Sequence, residues 1–105
     1  MSTDKIRKLN DKARKTFSNC RVMITRGVQD LENLDNILKA VREFDTFTVD
    51  DDPYSEHDFG KIEINGEVIF WKFDYYDLKY TYASPDAADE TVTVRVLTIM
   101  LASEY

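Results

Sequence analysis

Apolar residues recur along this chain at two periods, and the switch between them divides it into elements. Between Asp4 and Ser18 the spacing is helical: Ile6, Leu9, Ala13 and Phe17 fall on one stripe at about 100° per residue. Ser2 or Thr3 suits the N-cap and Asp4 the first turn. Lys5, Lys8, Lys12 and Lys15 flank the stripe, and Arg7 and Arg14 fall on the far side. The stripe is narrow, so a helix over residues 4–18 is expected on the surface. Cys20–Arg26 is rich in β-branched residues and closes at Gly27, the pattern of a strand. Leu31, Leu34, Ile37, Leu38, Val41 and Phe44 then share one helical face, predicting a second helix over 31–44 capped by Asp30 or Asn33. Asp35 with Lys39, and Lys39 with Glu43, add i,i+4 pairs on its solvent side.

Beyond an acidic, turn-rich loop at residues 50–56 the period drops to two. Asn65-Gly66 lies between alternating apolar runs, the strongest short-range mark of a type I′ hairpin. A two-residue turn fixes the register over residues 57–75. Ile64 faces Glu67, Ile62 faces Ile69, Gly60 faces Trp71, and at the far end His57 faces Asp74. One side of the hairpin is then Ile62, Ile64, Ile69, Trp71 and Phe73, a core face on which Gly60 leaves room for the Trp71 ring. Tyr75–Tyr82 continues as a bent or further strand, and Ser84-Pro85 marks a turn or helix start.

The C-terminal run combines both periods. Residues 91–96 alternate as a strand would, whereas 97–105 favour a helix. Its length, and Asp86, Asp89 and Glu90 ahead of it, predict a helix over 90–103. Such a helix carries Val92, Val96, Ile99 and Met100 on one side and Val94, Leu97 and Leu101 on another, which suits deep burial or a homodimer contact. The expected fold is a single α+β domain over residues 1–105: an antiparallel sheet centred on the 57–75 hairpin, packed against about three helices (4–18, 31–44, 90–103).

Composition narrows the class of protein. Of 105 residues 43% are hydrophobic, enough for one core. Cys20 is the lone cysteine, so no intramolecular disulfide forms. Apolar runs such as Val68–Trp71 are far too short to span a membrane, and the basic N-terminus lacks an apolar leader core, so a cytoplasmic location is expected. The net charge of −6 is unevenly placed. Residues 1–21 hold seven Lys/Arg and two acids, a net of +5; residues 22–105 hold seven Lys/Arg and eighteen acids, a net of −11. That asymmetry fits internal complementarity or a basic arm for a partner.

Several stretches occurring together carry a resemblance: TRGVQDL and NILKAVREFDTF, then DDDPYSEHDFG, VIFWKFDYYD and VRVLTIMLASEY. From about Asp4 to Tyr105 the chain resembles the bacterial domain-of-unknown-function family 3768, small proteobacterial proteins often carried on plasmids and other mobile elements. The resemblance implies no activity, cofactor or catalytic residue. It lends support to the C-terminal helix, and the mobile-element setting suggests an anti-defence role.

The chemically richest stretch is the loop with Asp50, Asp51, Asp52, Tyr54, Glu56, His57 and Asp58. Its spacing matches no calcium loop, and a zinc site would need further histidine or cysteine ligands, so a solvated turn is the plainer reading and no cofactor is expected. His57 opposite Asp74 could act as an oriented base, but no nucleophile-elbow pattern surrounds Cys20 or Ser55, and a structural cross-strand pair is the simpler role. Eleven of the thirteen aromatics lie between Phe44 and Tyr82, a distribution that could stack bases. The same span holds ten acids and three lysines, so phosphates are repelled and direct nucleic-acid binding is disfavoured. No glycine-rich phosphate loop is present.

Two functions follow as expectations. The first is a non-enzymatic acidic module that binds a basic, nucleic-acid-facing surface of another protein, as anti-restriction or anti-CRISPR inhibitors do. Tyr54, Tyr76 and Asp77 would join the acidic loop and Asp74 in the contact, since exposed tyrosines anchor interfaces well. The alternative is a metal-dependent or acid/base enzyme built on Asp50–Asp58 with His57 and Asp74. The hairpin register carries its own test. Trp71→Ala should lower stability in urea unfolding by about 3–5 kcal/mol, and a loss near zero would place the ring on the solvent face, one residue out of register.

Overall fold

The computed structural model describes residues 2–105. Helix α1 (Ser2–Thr16) leads to strand β1 (Arg21–Ile24), a short helix α2 (Arg26–Gln29) and helix α3 (Leu34–Arg42). Strands β2 (Phe59–Ile64), β3 (Glu67–Tyr76) and β4 (Val94–Leu101) follow, and a 3-10 turn (Ala102–Glu104) comes last. The four strands form one sheet in the order β1-β4-β3-β2. The core lies between one face of this sheet and the helices.

The β2–β3 hairpin has the register that the Asn65-Gly66 turn dictates. Asn65 and Gly66 take φ of 52° and 82°, as a type I′ turn requires. Ile64 pairs with Glu67, Ile62 with Ile69 and Gly60 with Trp71. The predicted core face is the observed one, with Ile69, Trp71 and Phe73 buried and Ile62 and Ile64 packed against the core. A Cβ on Gly60 would stand 2.3 Å from Trp71 Nε1, so only glycine fits beneath the indole. The indole N–H there has no hydrogen-bond acceptor.

The C-terminal run overturns the helix over 90–103. Val94–Leu101 is a strand, antiparallel to β3 and parallel to β1, which makes the sheet mixed. The two-sided apolar pattern that suggested a buried helix is that of a strand covered on both faces. Leu97 and Ile99 enter the core, while Val96 and Met100 are nearly as buried on the opposite face. Those side chains are covered within the chain, so the helical surface proposed for a homodimer does not exist. The acids ahead of the run shape turns instead: Asp86 Oδ1 accepts from Ala88 N–H, and Asp89 Oδ1 from Thr91 N–H and hydroxyl.

Two further boundaries differ. The 31–44 helix is shorter, and the separate α2 sits before it, where Glu104 arrives from the far end of the chain. The Glu104 carboxylate accepts from the Thr25 hydroxyl at 2.6 Å, Leu101 N–H at 2.8 Å and Gly27 N–H at 3.2 Å. These bonds, that of Thr25 foremost, hold its pKa below the ordinary range. In α1 the buried stripe is Ile6, Asn10, Ala13 and Arg14, not an all-apolar one. Arg14, which the helical wheel puts on the far side, is 1% exposed. Its guanidinium stacks on Trp71 at 4.9 Å and donates from Nη1 to the Val41 carbonyl at 2.7 Å. Among the described residues no helix is long and apolar enough to cross a membrane.

Because the Gly60 clash is with a rigid ring, Gly60→Ala should destabilise the protein by about 3 kcal/mol in urea unfolding. In a Trp71→Leu background the same change should cost well under half as much, since the ring is gone. Equal costs in both backgrounds would mean that the indole does not set the glycine requirement.

Candidate functional site

The loop from Phe44 to Asp58 carries most of the sequence-predicted site residues, and its backbone sends them to three different places. Phe47 anchors the loop in the core, edge-on to Phe44 at 5.0 Å and to Trp71 at 6.1 Å. Asp52 is 7% exposed and turns inward, where its Oδ1 accepts from His57 N–H at 3.1 Å. Ser55 and His57 both take positive φ, at 57° and 55°. For a bulky residue this is a strained conformation that its surroundings must enforce. These two reversals throw alternate side chains of the segment to opposite sides.

The first destination is a latch on α1. His57 Nδ1 lies 2.8 Å from Asp11 Oδ1, and its ring stacks flat on Phe47 at 3.6 Å. His57 Nε2 stands 3.7 Å from Asp52 Oδ2. The expected His57–Asp74 pair is therefore not formed. Strand β2 begins only at Phe59, the Asp58 carbonyl takes the last ladder bond from Phe73 N–H at 2.9 Å, and the chain then swings toward α1. Asp74 pairs instead with Lys72 on its own strand, at 2.6 Å. The histidine lies between two carboxylates, Asp11 and Asp52, which are different partners from the predicted one.

The second destination is a buried polar network that sequence reasoning missed. Asn10, fully buried, accepts from Arg95 Nε at 2.7 Å. Its Nδ2 donates to the Tyr75 hydroxyl at 2.7 Å and the Glu56 carbonyl at 3.1 Å. The Tyr75 hydroxyl in turn reaches Glu56 Oε1 at 3.4 Å. Burial pushes the Tyr75 phenol far above its usual range, and burial followed by the Asp58 charge raises the Glu56 carboxyl. The sequence did hold one signal of this network. If residues 91–96 are a strand, Arg95 shares a face with Leu97 and Ile99, an inward position for a charge.

The third destination is a cleft of about 390 Å³ between the loop and the sheet face that carries no helices. Asp50, Asp51, Tyr54, Asp58 and Asp74 all line it, so the fold gathers five of the expected site residues around one concavity. Pro53, Phe59, Lys72, Phe73 and Tyr105 complete its walls. Phe59, Phe70 and Tyr105 pack ring on ring, with Phe59 and Phe70 at 5.1 Å and Phe70 and Tyr105 at 5.5 Å. Tyr76 and Asp77 lie outside. Tyr76 stands beside Tyr80 at 6.1 Å, and Asp77 Oδ1 shapes the next loop by accepting from Lys79 and Thr81 N–H groups. Among the described residues no three His, Cys, Asp or Glu side chains are grouped so that they could hold a metal ion.

Fold and site together define a small α+β protein with helices on one face of a mixed four-stranded sheet and an acidic, aromatic cleft against the other. The chain belongs to the family described as Protein of unknown function (DUF3768), whose model matches residues 24–104. No curated protein and no solved structure matches it.

The cleft places Asp58 at a cost to stability. Burial first, then the Asp52 and Asp74 charges, push its carboxyl above the ordinary range, against the pull of its own backbone N–H. A raised carboxyl pKa means that the folded state holds the proton more tightly than the unfolded one. Stability from this group is therefore greatest below about pH 4 and declines as pH rises through the folded value. Asp58→Asn removes that decline. It should raise the melting temperature by about 2–4 °C at pH 7 and leave it unchanged at pH 3.5. A lower melting temperature at pH 7 would show that the carboxylate is compensated within the fold.

Proposed function

We propose that this protein is a non-enzymatic acidic binding module, and that its cleft receives a basic side chain from the surface of another protein. The observation that carries the reading is the position of Asp58. A carboxylate is kept half-buried in the cleft, where burial and then the Asp52 and Asp74 charges work against it. Natural proteins retain such groups where binding needs them, at the expense of stability. A lysine or arginine entering the cleft would relieve the repulsion and meet the rings of Tyr54, Phe59 and Tyr105, which attract cations through their faces. The net −11 over residues 22–105 would steer a basic partner toward this side. A protein surface that itself binds nucleic acid has the clustered lysines and arginines this chemistry selects, which makes an anti-defence inhibitor the natural role.

An arginine-rich peptide in isothermal titration serves as the stand-in for such a surface. It should bind with an affinity that falls as salt is added. Asp58→Asn and Asp74→Asn should each weaken binding by about 5–10-fold, on the scale of one desolvated charge contact. Glu63→Gln and Glu67→Gln, each the same loss of one charge at the hairpin tip, should each change it by less than about twofold. Equal losses from tip and cleft would reduce the interaction to unspecific attraction and remove the cleft from it.

A further inference from the structure

We propose that a recess between α1 and β4 binds a single anionic atom, a halide or one oxygen of a carboxylate, on the guanidinium of Arg95. This site is separate from the acidic cleft and has the opposite charge preference.

Arg95 is 3% exposed and projects from the core face of β4. Each of its protein partners is neutral: Nε donates to Asn10 Oδ1 at 2.7 Å, Nη2 to the Ala87 carbonyl, and the guanidinium lies over the Tyr75 ring at 5.2 Å. Among the described residues no carboxylate oxygen comes within salt-bridge distance of it, the Glu90 and Glu56 charges acting only from farther off, and Nη1 makes no hydrogen bond. Arg14 is as deeply buried but has Asp11 at 3.4 Å. A buried charge that lacks a counter-ion is costly, and the cost is relieved by an opposite charge more than by a water.

The space beside Arg95 sets the size of the guest. The recess measures about 20 Å³ and is lined by Leu9, Lys12, Ala13, Asn19, Glu90 and Arg95. That is the room of one water-sized particle, so a whole phosphate or sulfate does not enter. Lys12 brings a second positive charge and Asn19 an amide donor, while Leu9 and Ala13 supply an apolar wall. Glu90 brings the one carboxylate, on an exposed residue at the rim. Two cations against one carboxylate leave the recess net positive, which excludes a cation and favours an anion.

The competing arrangement is that Glu90 swings in and serves as the counter-ion itself, and the experiment separates the two. The chloride-35 NMR signal should broaden in the presence of the wild-type protein and sharpen again when a competitor is added. Sharpening by bromide alone identifies a halide site, and sharpening by acetate as well identifies a site for any single anionic atom; either supports the proposal. Lys12 and Glu90 are both exposed, so their variants should fold. Lys12→Gln should weaken chloride binding several-fold, and Glu90→Gln should strengthen it. Broadening that is the same in wild type and Lys12→Gln would overturn the site. So would a Glu90→Gln variant that melts several degrees lower in chloride-free methanesulfonate buffer and is not restored by chloride.

Discussion

Trp71 lies at the junction of every layer of this protein, and the contacts around its ring constrain the rest. Beneath it Gly60 gives the ring the space that no other residue could. Phe44, Phe47 and Phe73 meet it edge-on, at 5.4, 6.1 and 6.1 Å. The Arg14 guanidinium closes the stack, and the same guanidinium donates to the Val41 and Arg42 carbonyls at the end of α3. Helix α3 ends there, so neither carbonyl has an i+4 helical partner, although Phe44 N–H also reaches the Val41 carbonyl at 3.3 Å, and a positive charge there complements the helix dipole. One aromatic ring and one arginine thus join α1, α3 and β3 through packing, cation–π attraction and hydrogen bonding together.

That arrangement also determines where function can reside. With the helices gathered on one sheet face, the acidic loop crosses from the core to the helix-free face, and each of its residues takes the environment it reaches. Phe47 and Asp52 go inward, His57 grips α1, and Asp50, Asp51, Tyr54 and Asp58 form a wall of the cleft. The positive φ at Ser55 and His57 is the backbone cost of this division. The contacts that enforce it are the His57–Asp11 bond and the Asp52 cap on His57 N–H. The cleft is therefore held by the same latch that closes the core, so disturbing Asp11 or Asp52 acts on both.

The legibility of the sequence follows the range of the forces involved. The hairpin was legible because a two-residue turn and a period of two leave one register in which Ile62, Ile69, Trp71 and Phe73 share a face. Helix α1 was legible in its period and only partly in its stripe, because Asn10 and Arg14 behave as core residues once partners from distant segments satisfy them. The strand β4 was not legible. Its two faces are both apolar, and the alternation that distinguishes a half-buried strand fades when both sides are covered. Likewise the acidic loop was visible as a cluster, but five of its candidates with Asp74 counted share a cleft while Glu56, His57 and Asp52 do not.

By itself the sequence determined the elements whose signals lie within a few residues: the turn, the hairpin faces, the helical periods and the charge imbalance between the ends of the chain. Tertiary structure decided what depends on pairs far apart in the chain. Arg95 meets Asn10 across 85 positions and Glu104 meets Thr25 across 79. Asp11 takes the histidine that local pairing assigned to Asp74. A polar side chain is read from sequence as facing water unless a partner is known. The partner is supplied only when the chain folds back, which is why the buried network and the true neighbours of His57 emerged with the fold.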